Sequence, residues 1–151
     1  MAPEKLELVS VKDLHVDLKA TQVANFGLKE TDVIFMQPIS RLDTHRYSRG
    51  ILLISAYLDK HGIPSIIFEP HRLLSKPMKW HLPTQEQLQE VETKLIQKAK
   101  KWQTKVFCFT CATVEFNEVM ETTKRLKKAC PDALFVAGGY HADAFPEDFL
   151  N

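Results

Sequence analysis

Two adjacent glycines followed by an aromatic and an imidazole side chain are the residues of this sequence best suited to binding a ligand. The segment VAGGYHADAFP, residues 136–146, places Gly138 and Gly139 after an apolar run, with Tyr140 and His141 next. Glycine has no Cβ, so its backbone reaches positive φ and lets a bulky ligand lie on the peptide planes. A tight turn without a ligand also uses such a pair. If a ligand lies there, replacing Gly139 with valine should lower affinity far more than stability.

The elements that carry these residues alternate from residue 32 onward. Short apolar runs with β-branched and aromatic residues predict four buried strands. Their sequences are DVIFM (32–36), PSIIFE (64–69), KVFCFT (105–110) and ALFVA (133–137).

Periodic segments between these strands predict three helices. The first extends from Gly50 to Gly62 and stops at a glycine suited to the left-handed position beyond a helix end. The second begins at a capping box, Thr84 with Gln87, and continues to about residue 102, whereas the third has Thr113 as its N-cap and continues to about residue 130. Strands separated by helices are typical of a parallel sheet covered on both faces. The fold class is therefore predicted to be α/β, a doubly wound (Rossmann-like or flavodoxin-like) parallel sheet of at least four strands in three α/β/α layers.

Composition excludes several classes of function. The 151 residues carry 20 basic and 19 acidic side chains, a balance that indicates no nucleic-acid partner. No apolar stretch approaches the ~18 residues of a membrane span, and no secretion signal is evident, so a cytoplasmic protein is expected. Three cysteines are too few for a disulfide framework, and we expect reduced thiols.

The domain organisation is predicted to be one α/β domain over residues 32–151, preceded by an arm or an extra strand over residues 1–31. LELVSV, residues 6–11, is the candidate strand in the arm. Open sheets of this class commonly have five strands or more. We therefore expect a domain that is truncated at its C-terminal end or completed by a partner.

Three polar segments must converge at the carboxyl ends of the strands, where doubly wound sheets bind ligands. They follow the first, third and fourth strands as QPISRLDTHRYSRG (37–50), TCAT (110–113) and GGYHADAFP (138–146). Their polar side chains do not belong to a core. This edge is the predicted ligand site.

Other kinds of site find less support in the spacing. Cys108 and Cys111 form a C-x-x-C, but residues three apart on a strand point to opposite faces, which disfavours zinc or redox chemistry. The six histidines show no ligand spacing, and neither G-x-G-x-x-G nor G-x-x-x-x-G-K follows a strand. A flavin-binding flavodoxin-like domain is disfavoured because the first loop lacks a phosphate cradle.

The assembled pattern resembles the cobalamin (vitamin B12)-binding domain of cobalamin-dependent radical S-adenosylmethionine enzymes. The matching segments cover roughly residues 32–150, and the most specific are GILLISAYLDKHGI and AGGYHA. The resemblance implies a corrin ring over the carboxyl edge and a nucleotide tail directed towards the glycine turn. It implies these cofactor-binding residues: Gln37, Pro38, Ile39, Ser40, Tyr47, Gly50, Thr110, Cys111, Ala112, Thr113, Gly138, Gly139, Tyr140 and His141.

Two departures from related motifs limit what the resemblance implies. A D-x-H-x-x-G loop supplies an axial histidine in mutase-type cobalamin domains, but here Ser48 stands in place of the glycine, and Gly50 comes two residues late. We therefore expect water or no ligand on the lower face of cobalt, with His45 the less favoured ligand. The iron–sulfur motif C-x-x-x-C-x-x-C does not occur in these 151 residues.

The predicted function is thus a cobalamin-binding module, the N-terminal part of a radical S-adenosylmethionine enzyme for methyl transfer or rearrangement. An iron–sulfur cluster and S-adenosylmethionine are implied only if a radical domain follows in cis or joins in trans. No catalytic residue is predicted in this chain alone. The alternative is a non-catalytic α/β partner or regulatory domain that has lost, or never had, the cofactor.

Overall fold

The structure, a computed structural model, describes residues 28–38, 48–73 and 84–150. The predicted arm, with its candidate strand over residues 6–11, lies outside these ranges except for its last residues. A 3-10 turn over Glu30–Asp32 leads into the first strand.

The described chain alternates strands and helices as predicted. The strands are β1 (Val33–Met36), β2 (Ile66–Phe68), β3 (Val106–Thr110) and β4 (Leu134–Gly138). The helices are α1 (Arg49–Lys60), α2 (Gln85–Trp102), α3 (Phe116–Ala129) and the short α4 (Tyr140–Ala144). Within the described ranges, no helix has both the length and the apolar character needed to cross a membrane.

The four strands form one parallel sheet in the order β2-β1-β3-β4. Strand order reverses between β1 and β3, where Val33 pairs with Val106 and Met36 pairs with Phe109. A reversal of this kind leaves a crevice beyond the carboxyl ends of the strands. The doubly wound α/β fold is confirmed.

Two hydrophobic clusters lie on opposite faces of the sheet because side chains alternate along each strand. On one face, Ile34 and Phe107 pack with Leu95 of α2 and Leu126 of α3, all at most 2% exposed. On the other face, Phe35 packs with Ile51 of α1. Helices on both faces give the three predicted layers.

Capping residues and a glycine in the sequence correctly predicted the start of α2 and the end of α1. Thr84 accepts a hydrogen bond from the Gln87 backbone and donates its own N–H to the Gln87 side chain, which confirms the predicted capping box. Gly62, just beyond α1, has φ of 74°, in the left-handed region predicted for it. Strands β1, β2 and β3 are one to three residues shorter than predicted, and β4 has the predicted length but begins and ends one residue later.

The prediction that Thr113 caps the third helix is wrong. Thr113–Glu115 form a 3-10 turn, and α3 begins only at Phe116. The Glu115 carboxylate accepts the Ala112 backbone N–H at 3.0 Å, while the Thr113 hydroxyl contacts a histidine ring instead. The Glu115 side chain, three residues after Ala112, thus caps this turn. The Thr113 hydroxyl is therefore available for the contact with the histidine ring.

Candidate functional site

The turns after β3 and β4 are joined by backbone hydrogen bonds at the carboxyl edge of the sheet. The Cys111 N–H donates to the Gly138 carbonyl at 2.8 Å, and the His141 N–H donates to the Cys111 carbonyl at 3.1 Å. Thr110 and Gly138 are partners in the sheet register. The predicted convergence of residues 110–113 and 138–141 is therefore observed.

The first loop begins and ends beside this edge. The Gln37 side chain accepts a hydrogen bond from the Ser48 N–H at 3.2 Å, which ties the end of β1 to the start of α1. Gly50 lies in the first turn of α1. Of the other predicted residues in this loop, Pro38 is described, whereas Ile39, Ser40, Tyr47 and the disfavoured cobalt ligand His45 lie outside the described residues.

Alternation along β3 and β4 assigns Thr110 and Gly138 to the face of the sheet that carries α1. Phe109 belongs to the cluster on the α2 and α3 face, so the next residue faces the other way. Cys108 and Val136 share the α1 face with them, and Val136 is 43% exposed. We name this surface, formed by Cys108, Thr110, Val136 and Gly138, the α1-side cleft. The Cys108 and Val136 side chains give it an apolar floor.

The fold itself requires glycine at position 139. Its φ of 94° and ψ of −178° are backbone angles that essentially only glycine adopts. A Cβ added there would lie 2.8 Å from the Cys111 carbonyl oxygen and 2.9 Å from the Cys111 nitrogen. Of the two interpretations left open for the glycine pair, a ligand or a tight turn, the close approach of the neighbouring turn is sufficient to require glycine at Gly139.

Gly138 and Gly50, in contrast, have room for a Cβ. A Cβ on Gly138 would come no closer than 3.9 Å to the Phe109 carbonyl oxygen, and one on Gly50 would lie 3.6 Å from the Ser48 hydroxyl. Both distances are ordinary van der Waals contacts. The fold itself does not require glycine at either position, which leaves a ligand as a reason for it.

Replacing Gly50 with alanine should raise the free energy of unfolding by up to about 1 kcal/mol, because alanine forms helix more readily than glycine. If a ligand lies against the first turn of α1, the same change lowers its affinity. Urea unfolding and a hydroxocobalamin titration measure the two effects. Gains in both stability and affinity would contradict a ligand at this turn.

Tyr140 and His141 have opposite environments although they are adjacent. Tyr140 is 88% exposed beside the glycine turn, where a ligand or partner can reach its ring. His141 is only 4% exposed, and its ring contacts Phe116, Phe145 and Phe149. The structure thus encloses the predicted ligand-binding imidazole within the protein.

Cys108 and Cys111 belong to clusters on opposite faces of the sheet, as predicted from their spacing. Burial raises the pKa of the Cys108 thiol to about 11. Burial, with the Glu115 and Glu118 carboxylates, also raises the pKa of Cys111 to about 11. No group of three or more potential metal ligands occurs within the described part of the chain.

These raised pKa values predict slow alkylation. At pH 8, roughly one thiol in a thousand is ionised when its pKa is near 11, against about a quarter for a free cysteine. Iodoacetamide should therefore modify Cys108 and Cys111 at least about a hundredfold more slowly in the folded protein than in urea. Mass spectrometry of quenched samples measures the rates, and equal rates at Cys108 would contradict the described environment.

A cavity of about 380 Å³ lies on the opposite face, between α2 and α3. Met36, Leu95 and Phe109 contribute to its apolar lining, and Glu92, paired with Arg125, lies at this cavity. Among the predicted site residues that the structure describes, Pro38 alone lines it. The cavity and the α1-side cleft are therefore separate surfaces, and the converging turns favour the cleft as the ligand site.

Sequence reasoning missed Cys108 and Val136 as members of the cleft. Both lie inside strands, and a continuous apolar run does not reveal which of its residues remains uncovered. Strand alternation counted backward from Thr110 and Gly138 was the available signal. Val114, 69% exposed after the third strand, was likewise not predicted.

The described residues form a doubly wound α/β domain in which the turns after β3 and β4 meet at the carboxyl edge of the sheet. A family model described as the B12 binding domain matches residues 41–151. The chain belongs to this family and is a cobalamin-binding domain. No curated protein and no solved structure matches it.

Proposed function

We propose that this chain binds cobalamin in the α1-side cleft as the cofactor-binding part of a radical S-adenosylmethionine enzyme. The observation that carries the cleft assignment is that the fold leaves room for a side chain at Gly138, the sheet partner of Thr110: a Cβ there would meet nothing closer than 3.9 Å. The radical enzyme is supported by the sequence AGGYHA and by the segment from Gly50 to Ile63.

The cleft has the chemistry that a nucleotide tail requires. Cys108 and Val136 offer an apolar floor for a flat aromatic base, and the Thr110 hydroxyl offers a hydrogen-bond donor and acceptor. The absence of a side chain at Gly138 lets the tail approach the backbone of β4. The residues present therefore fit the cofactor.

Bound cobalamin supplies a cobalt centre that carries a methyl group or supports radical chemistry. The residues of this chain bind and orient it. Gln37 holds the start of α1 against the end of β1. The hydrogen bonds of Cys111 to the Gly138 and His141 backbones hold together the turns that follow β3 and β4. A pre-organised cleft lowers the entropy cost of binding.

Hydroxocobalamin titration of the purified chain tests the binding. We expect a shift in the visible absorption spectrum and elution of the cofactor with the protein on gel filtration. The matched control is the unfolded chain in urea, which should give neither. A folded chain that leaves the spectrum unchanged and elutes without cofactor would overturn the proposal and favour the non-catalytic alternative.

The radical enzyme is tested separately. The coding sequence that follows the codon for Asn151 and the proteins purified together with the native chain are searched for the C-x-x-x-C-x-x-C motif. We expect this motif in one of the two. Cobalamin binding without it would retain the cofactor-binding role and overturn the radical role.

A further inference from the structure

We propose that His141 is a positioning residue that fixes the Thr113 hydroxyl as a hydrogen-bond acceptor towards the ligand. Thr113 would then bind an N–H or O–H donor of the cofactor, such as a side-chain amide or a ribose hydroxyl. This inference rests on the proposed function. It concerns the chemistry of one contact in the site.

The surroundings of His141 hold its ring in one place. Phe116 of α3, Phe145 and Phe149 lie with ring centroids 4.5, 5.3 and 5.7 Å from the imidazole. The His141 backbone N–H also donates to the Cys111 carbonyl. Contacts from α3, from the residues that follow α4 and from the turn after β3 therefore leave the ring little freedom to turn.

The two ring nitrogens have different neighbours. Nε2 lies 3.2 Å from an Asp148 carboxylate oxygen, although the angle is not that of a well-aligned hydrogen bond. Nδ1 lies 3.3 Å from the Thr113 hydroxyl oxygen. A carboxylate accepts protons only, so its position beside Nε2 favours the tautomer with the proton on Nε2. Nδ1 is then an acceptor, and the Thr113 hydroxyl donates to it.

This tautomer determines what Thr113 can offer to a ligand. A threonine hydroxyl has one proton and two lone pairs. With the proton directed to His141, only lone pairs remain for outside groups. Thr113 is exposed at the carboxyl edge, where the Glu115 carboxylate holds the preceding Ala112 N–H. The residue therefore selects a donor on the ligand.

Two substitutions at His141 separate positioning from packing. His141→Phe retains an aromatic ring and loses the acceptor, whereas His141→Asn loses the ring and places an amide oxygen near the position of Nδ1. We expect His141→Phe to bind hydroxocobalamin about five- to tenfold more weakly, and His141→Asn to bind within about twofold of wild type despite lower stability. If the ring acts by packing alone, the order of the two affinities is reversed, which would overturn the proposal.

Thr113→Val removes the hydroxyl itself and is the matched partner variant. We expect the same loss as in His141→Phe, and no further loss when the two are combined, because both remove one hydrogen-bonded pair. Additive losses would contradict the coupling. Urea unfolding of each variant corrects the affinities for any unfolded fraction.

The tautomer is measured without cobalamin. Long-range ¹H–¹⁵N correlation spectra of the free protein should show a protonated Nε2 and an unprotonated Nδ1 for His141. A proton on Nδ1 would overturn the inference while leaving cobalamin binding intact. Absence of binding by wild type would instead overturn the proposed function, together with the role of Thr113 as a ligand contact.

Discussion

Replacing Gly139 with alanine is expected to lower the free energy of unfolding by about 3 kcal/mol. Its φ of 94° with ψ of −178° is strained for any residue with a side chain. A Cβ would also lie 2.8 Å from the Cys111 carbonyl oxygen, where backbone must move to make room. The turn that joins β4 to α4 would separate from the turn after β3.

Urea unfolding followed by circular dichroism measures this loss. Gly138→Ala is the matched control one residue earlier, because its added Cβ meets nothing closer than 3.9 Å. We expect the control to remain within about 1 kcal/mol of wild type. Equal stability of the Gly139→Ala variant and wild type would show that the turn has a different backbone conformation.

Replacing Gly138 with valine is expected to weaken hydroxocobalamin binding at least tenfold while the fold is retained. The last residue of β4 accepts a β-branched side chain, since such residues favour strands. The two added methyl groups enter the α1-side cleft, where the nucleotide tail is proposed to approach the backbone. The expected loss corresponds to about 1.4 kcal/mol of binding free energy.

The control for this variant lies on the same face of the same strand. Leu134 is 60% exposed at the amino end of β4, four residues from Gly138. Leu134→Ala should leave affinity within about twofold of wild type. If Gly138→Val binds as tightly as wild type, or if Leu134→Ala is the weaker binder, the cofactor does not lie in this cleft.

The fold could be predicted from the sequence because its signals are local or periodic. Apolar runs marked the four strands, and Thr84 with Gln87 marked the start of α2. The Thr113 cap was predicted wrongly because the sequence does not reveal two contacts. The Glu115 carboxylate accepts the Ala112 N–H, and the Thr113 hydroxyl is hydrogen-bonded to the ring of His141, 28 residues away. Contacts between distant residues decided that helix start.

The site was predicted only in part for the same reason. The convergence of Thr110 with Gly138 follows from parallel strands. The difference between Gly138 and Gly139 does not follow from the sequence, because the two glycines differ only in the atoms that an added Cβ would meet. The burial of His141 likewise depends on Phe145, at the end of the short helix α4, and on Phe149, in the 3-10 turn that follows it. That helix was not predicted, since five residues carry too little periodicity.

Chemical-shift mapping of the ¹⁵N-labelled chain during titration with hydroxocobalamin tests the central claim most directly. The account predicts that the largest backbone amide shifts occur at Thr110, Val136 and Gly138 of the α1-side cleft and at Gly50 in the first turn of α1. Residues of the cavity between α2 and α3, such as Gln89 and Thr122, should change little. Large shifts at that cavity with none at Thr110 or Gly138 would contradict the account.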